Sequence, residues 1–148
     1  MKAEIRYLGQ TAFETSIRDH KFMMDTQVAA GGENQGPSPK ELLLAAIIGC
    51  SGMDVAALLK KHKMALESLT VHGDAEPRKV HPRVFSSVQV TFSATGTNIS
   101  PEGLNDAVYQ SLTKFCGVSA MVNNVSPINY VVFLNDKEIG RGSAKFDL

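Results

Sequence analysis

Polar and apolar positions alternate loosely over the first part of the chain, with turn residues between the runs. Residues 2–8, 12–18 and 21–25 therefore read as short strands, parted at Gly9 and at Asp19-His20. Gly31, Gly32, Asn34, Gly36 and Pro37 then crowd residues 29–39, which read as a loop. Ser38-Pro39-Lys40-Glu41 follows as an S-x-x-E capping box with proline at the first helical position. It predicts a helix over residues 39–63, closed by Lys60, Lys61 and Lys63 at the negative end of the helix dipole.

That helix lacks a polar face. Leu42, Leu43, Leu44, Ile47, Ile48, Met53, Val55, Leu58 and Leu59 point to all sides, and a helix apolar all round has to be covered all round. A second copy of the chain is the simplest cover, so the pattern predicts a homodimer with this helix central. Residues 42–59 are also worth testing as a membrane span, since roughly 27 Å of helix falls just short of a hydrocarbon core. Gly49, Ser51, Gly52 and the acid Asp54 interrupt the run, which favours a buried helix of a soluble protein with no membrane partner.

Strands are expected again over residues 66–76 and 83–95. In the second, Val84, Val88, Val90 and Phe92 share one face, and Ser87, Gln89, Thr91 and Ser93 the other. Ser100-Pro101-Glu102 opens another helix with Leu104, Val108, Leu112 and Phe115 as its core stripe. Cys116-Gly117 interrupts it, and residues 118–123 continue as a short helical segment. Residues 128–134 form a clear strand and 138–146 a weak terminal one. The class is α+β. Without repeats, low-complexity stretches or charge blocks, the chain reads as a single domain over residues 1–148.

Composition narrows the partners. The chain has 148 residues, 15 Lys+Arg against 15 Asp+Glu, and a formal net charge of zero. Nucleic acid and anionic membrane surfaces would call for a basic footprint that is missing. Residues 1–6 carry no apolar leader, so a cytoplasmic protein is expected. The two cysteines, Cys50 and Cys116, are too few for a disulfide scaffold and too far apart for a C-x-x-C pair or a zinc ribbon. Gly31-Gly32 has no phosphate-loop spacing. No metal and no cofactor are expected.

The chemistry then rests on the two thiols. Cys50 lies in the apolar helix between Gly49 and Gly52, and glycines in a helix interior make sense where another group must approach closely. Cys116 stands where a helix begins, where the dipole favours a thiolate. Two inert buried cysteines are the other reading. Asp54, one turn beyond Cys50 on the same side, is either a hydrogen-bonded structural acid or a group that orients a donor near the thiol.

The run Gly36-Pro37-Ser38-Pro39-Lys40-Glu41-Leu42-Leu43-Leu44-Ala45-Ala46-Ile47-Ile48-Gly49-Cys50 resembles the first cysteine motif of the OsmC/Ohr family of osmotically inducible and organic hydroperoxide resistance proteins. Lys114-Phe115-Cys116-Gly117-Val118 resembles its second, and the order of elements is similar too. The resemblance implies an intertwined α+β homodimer, with antiparallel sheets wrapped around a long central buried helix and sites at the subunit interface. It also implies a thiol peroxidase for organic hydroperoxides, with Cys50 peroxidatic, Cys116 resolving, and an external dithiol, lipoyl-type in Ohr members, as reductant. The family further uses an arginine from the N-terminal region held by a glutamate early in the long helix. Here Lys40 follows the proline and Glu41 comes next, so Glu41 is either that glutamate or simply the capping-box residue. Arg18 is the candidate arginine, with Arg6 the other one upstream; each is otherwise a solvated strand residue. The rival function is a ligand-binding or redox-sensing homodimer of the same fold without peroxidase activity.

Overall fold

The computed structural model describes residues 1–147. Its contacts group into two compact units, one covering Met1–Leu43 and the other starting at Leu44.

In the first unit, β1 (Glu4–Gly9), β2 (Ala12–Ile17) and β3 (His20–Met24) form an antiparallel sheet in that order. Gly9 (φ 129°) turns β1 into β2, and Arg18 (φ 54°) sits in the turn to β3. Tyr7 and Phe13 face each other across the first strand pair, with ring centroids 5.5 Å apart. The loop after β3 is organised by one acid. Asp25 is buried and accepts hydrogen bonds from the Thr11 hydroxyl (2.6 Å) and from the backbone N–H groups of Thr26 (2.7 Å), Glu33 (2.9 Å) and Gln35 (3.1 Å). Glycine is needed at position 36, where a Cβ would run into the Met23 carbonyl.

The helix α1 (Pro39–Lys61) begins in this unit and continues through the second. The second unit adds β4 (Ser68–Pro77), β5 (Phe85–Thr95), α2 (Pro101–Gln110), α3 (Gly117–Asn123), β6 (Ile128–Leu134) and β7 (Lys137–Ser143). The strands form one sheet in the order β4-β5-β6-β7. Its outer pairs are antiparallel, but β5 and β6 run parallel, with Val88 opposite Ile128 and Phe92 opposite Val132. Parallel neighbours need a crossover connection, and α2 and α3 supply it.

The core lies between this sheet and the helices. Val88, Val90 and Phe92 of β5, Ile128 and Val132 of β6, Leu104 and Val108 of α2, and Leu112 just after it are fully buried, and Ile47, Val55 and Leu59 of α1 join them. Phe85 takes the inward place that the alternation assigned to Val84, which precedes the strand and is half-buried.

One expectation changes, at Phe115, whereas the single chain leaves most of α1 uncovered, as its all-round apolar surface predicts. The helix α1 buries one stripe only, Ile47, Ser51, Val55 and Leu59, at i, i+4 spacing. Its most apolar window has a mean hydropathy of 2.2, yet only 22 % of it is buried within the chain. Leu43 and Met53 are exposed, Met53 by 72 %. Phe115, expected in the core stripe of α2, is 46 % exposed. Its place is taken by Cys116, because residues Ser111–Phe115 form a π-helical turn in which the Cys116 N–H donates to the Ser111 carbonyl at 2.9 Å. One extra residue in the turn rotates everything after it by about 100°, so the aromatic swings out and the thiol swings in.

Candidate active site

Cys50 sits in the middle of α1 and is half-buried, whereas Cys116 is wholly buried; both are free thiols. The π turn delivers Cys116 to the face of α1 that carries Cys50. Asp54 faces the same way, one turn further along, as i+4 neighbours on a helix must. The two sulfurs and a carboxylate oxygen of Asp54 lie within 4.8 Å of one another.

Hydroxyl side chains hold this cluster. The Ser111 hydroxyl, at the start of the π turn, donates to Asp54 Oδ2 at 3.0 Å. That bond ties the turn bearing Cys116 to the helix bearing Cys50. Cys116 caps α3: its Sγ accepts from the Ser119 N–H at 3.4 Å, while its S–H donates to the Ser119 hydroxyl at 3.0 Å. Despite this cap, burial pushes the Cys116 thiol up to about 11, with the adjacent Cys50 thiol adding to the rise and Ser119 pulling against it. The expected helix-start thiolate is therefore overridden by desolvation, and Cys116 is a neutral thiol at neutral pH.

The flanking glycines differ in purpose. A Cβ on Gly52 would stand 3.1 Å from Val71 Cγ2 of β4, so this glycine lets α1 close onto the sheet. A Cβ on Gly49 would meet nothing within 4 Å. Ile48, Gly49, Gly52, Met53 and Val71 line a shallow apolar depression of about 420 Å³, and neither cysteine is among its lining residues.

The other two candidate residues belong to the first unit. Glu41 is exposed and accepts a hydrogen bond from the Ser38 N–H at 2.6 Å, which is half of the capping box. That bond lowers its carboxyl below the ordinary carboxylate value. Glu41 lies nine residues before Cys50, roughly 13 Å of helix rise away. Arg18 is an exposed turn residue and forms no ion pair among the described residues. Arg6 pairs with Glu14 at 3.1 Å. The structure thus brings Cys50 and Cys116 together, adds Asp54 and Ser111, and leaves Glu41 with a capping contact. Ser111 was missed because nothing in its local sequence signals a bond to a residue so far away along the chain.

Residues 32–131 match the family model described as OsmC-like protein. The chain belongs to this family. Protein YhfA of Escherichia coli (strain K12) is 29 % identical over 131 residues, which cover 88 % of this chain and 95 % of YhfA. A solved structure of a hypothetical protein from Aquifex aeolicus VF5 superposes with a TM-score of 0.80 at 24 % identity, covering 99 % of this chain and 97 % of that one. An organic hydroperoxide resistance protein from Elizabethkingia anophelis gives a TM-score of 0.67 at 16 % identity, covering 91 % of this chain and 94 % of that one. The α+β fold of this chain is the OsmC-like fold.

Proposed function

We propose that this OsmC-like protein is a two-cysteine peroxidase for organic hydroperoxides that works as a homodimer. One observation carries the reading: two free thiols from separate elements converge within 4.8 Å, one half-buried and reachable, the other wholly buried. The half-buried one, Cys50, is the attacking residue. Its thiolate bonds to the terminal peroxide oxygen, the O–O bond breaks, and the departing alkoxide takes a proton to leave as alcohol. Cys50 is then a sulfenic acid. Cys116 gives up its proton and attacks that sulfur, and hydroxide leaves as water with the disulfide formed. The sulfurs have to close to about 2.05 Å, which rotation about χ1 on two adjoining elements can supply. An external dithiol returns the pair to thiols.

The neutral Cys116 suits this order of events. A resolving thiol has no reason to be ionised before a sulfenic acid stands beside it, and its high pKa protects it from direct oxidation. The uncovered faces of α1 support the second subunit, since an apolar helix left 22 % buried in its best window is poorly soluble alone.

Turnover of cumene hydroperoxide with dithiothreitol tests the reading. The wild type should turn over, Cys50→Ser should be inactive, and Cys116→Ser, given peroxide without the dithiol, should halt at a trappable sulfenic acid. Equal slow consumption by wild type and Cys50→Ser overturns it. The rival reading, a ligand-binding or redox-sensing homodimer, is favoured by one observation: Glu41 serves the helix cap and Arg18 a turn.

A further inference from the structure

We infer that Cys50, Cys116 and Asp54 together form a zinc-binding site in the reduced protein. It shares the two thiols with the proposed peroxidase cycle but does not depend on turnover. The three donor atoms lie within 4.8 Å of one another. Zinc held at about 2.3 Å by sulfur and about 2.0 Å by oxygen sets neighbouring donors roughly 3.5–3.8 Å apart. Side-chain rotation of about 1 Å at each sulfur closes that gap. Two donors come from one helix at i and i+4, which fixes their spacing, and the third from the cap of α3.

The chemistry of the set argues for a cation. All three groups are negative when deprotonated, and no Lys, Arg or His pairs with Asp54 among the described residues. Two sulfurs and a carboxylate oxygen converging on one point make electrostatic sense around a positive charge. Thiolates are soft ligands, which selects zinc over magnesium or calcium. The surroundings resemble a second ligand shell: Ser111 orients the carboxylate at 3.0 Å, and the Ser119 N–H points at Cys116 Sγ at 3.4 Å. Cys50 and Asp54 are only half-buried, so the fourth position faces a route for water and for entry. Binding adds two Zn–S bonds and one Zn–O bond, releases two thiol protons, and moves no electrons. While zinc is bound both sulfurs are occupied, and the disulfide cannot form.

Zinc alone, titrated into the metal-free protein against a chromophoric chelator, tests the site. The reduced wild type should bind one ion per chain. Cys50→Ser and Cys116→Ser should weaken binding at least 100-fold, Asp54→Asn about tenfold or more, and the disulfide form should bind none. Cobalt in place of zinc should show sulfur-to-metal charge-transfer absorption. Less than 0.2 ion per reduced chain, or equal affinity in wild type, Asp54→Asn and the disulfide form, overturns the inference. If a cysteine variant unfolds, the Asp54→Asn and disulfide comparisons still decide. The two proposals fail separately. Zinc binding without peroxide turnover removes only the peroxidase, and turnover by a protein with no zinc affinity removes only the metal site.

Discussion

Alkylation of Cys116 offers a quantitative check on how the site is built. An ordinary thiol value of 9.0 corresponds to about 3 % thiolate at pH 7.5, and a value of about 11 to about 0.03 %, a 100-fold difference. Part of that loss is returned, because a more basic thiolate is more nucleophilic, with a Brønsted slope near 0.45. Over a difference of about two units in pKa this gives back roughly eightfold, leaving Cys116 slower by roughly tenfold. Complete burial slows it further, since the reagent has to wait for local opening. The assay is iodoacetamide modification in the presence of a metal chelator, followed peptide by peptide by mass spectrometry. Initial rates at Cys116 should be at least tenfold below a small free thiol at pH 7.5. They should rise about tenfold per pH unit and level off only near 11. A rate within twofold of the free thiol, or a plateau near pH 9, would show that desolvation does not govern this sulfur. The same rise carries a stability consequence. The folded chain holds the Cys116 proton more tightly than the unfolded chain, so this contribution is intact below pH 9 and is lost as pH climbs towards 11.

Other outcomes follow from single contacts. Asp25 is held down to about 2, chiefly by the Thr11 hydroxyl and the Gln35 N–H. Its contribution is present above pH 4 and fades as pH falls towards 2, so an acid titration followed by hydrogen exchange should loosen residues 26–38 in that window. Asp25→Asn should remove this acid-dependent loosening. Leu104→Ala removes a fully buried side chain and should cost about 2–5 kcal/mol by denaturant unfolding. Gly36→Ala drives a Cβ into the Met23 carbonyl and should lower the melting temperature, with protection lost first in the loop after β3. Ser111→Ala leaves Asp54 without its hydroxyl donor and should destabilise the fold by about 1.5–3 kcal/mol, the range for hydrogen bonds to charged groups.

Most of the elements were legible because their signals are local. Ser38 and Pro39 mark the start of α1, which begins at Pro39 as the capping box predicts, and strand β6 spans Ile128–Leu134, the span its apolar run indicates. The meeting of Cys50 and Cys116 was legible through the two motifs. The geometry between them was not. Apolar periodicity put Phe115 inside, and nothing in Ser111–Phe115 announces the π turn that puts it out. The loop hub at Asp25 was equally silent, because its partners come from Thr11, Thr26, Glu33 and Gln35 and meet only in the folded unit. The all-round apolar face of α1 was read correctly as composition, but a single chain covers one stripe of it.

The π turn also makes chain length a functional property. Deleting one residue between Ser111 and Cys116 would let an ordinary α-helix run through while keeping every chemistry-bearing residue in the sequence. The second thiol would then point about 100° away from the first. Relatives that keep both cysteines but differ by one residue in this interval would thus be expected to have lost the pair. For sorting members of the family by chemistry, the residue count from Ser111 to Cys116 discriminates where the presence of two cysteines does not.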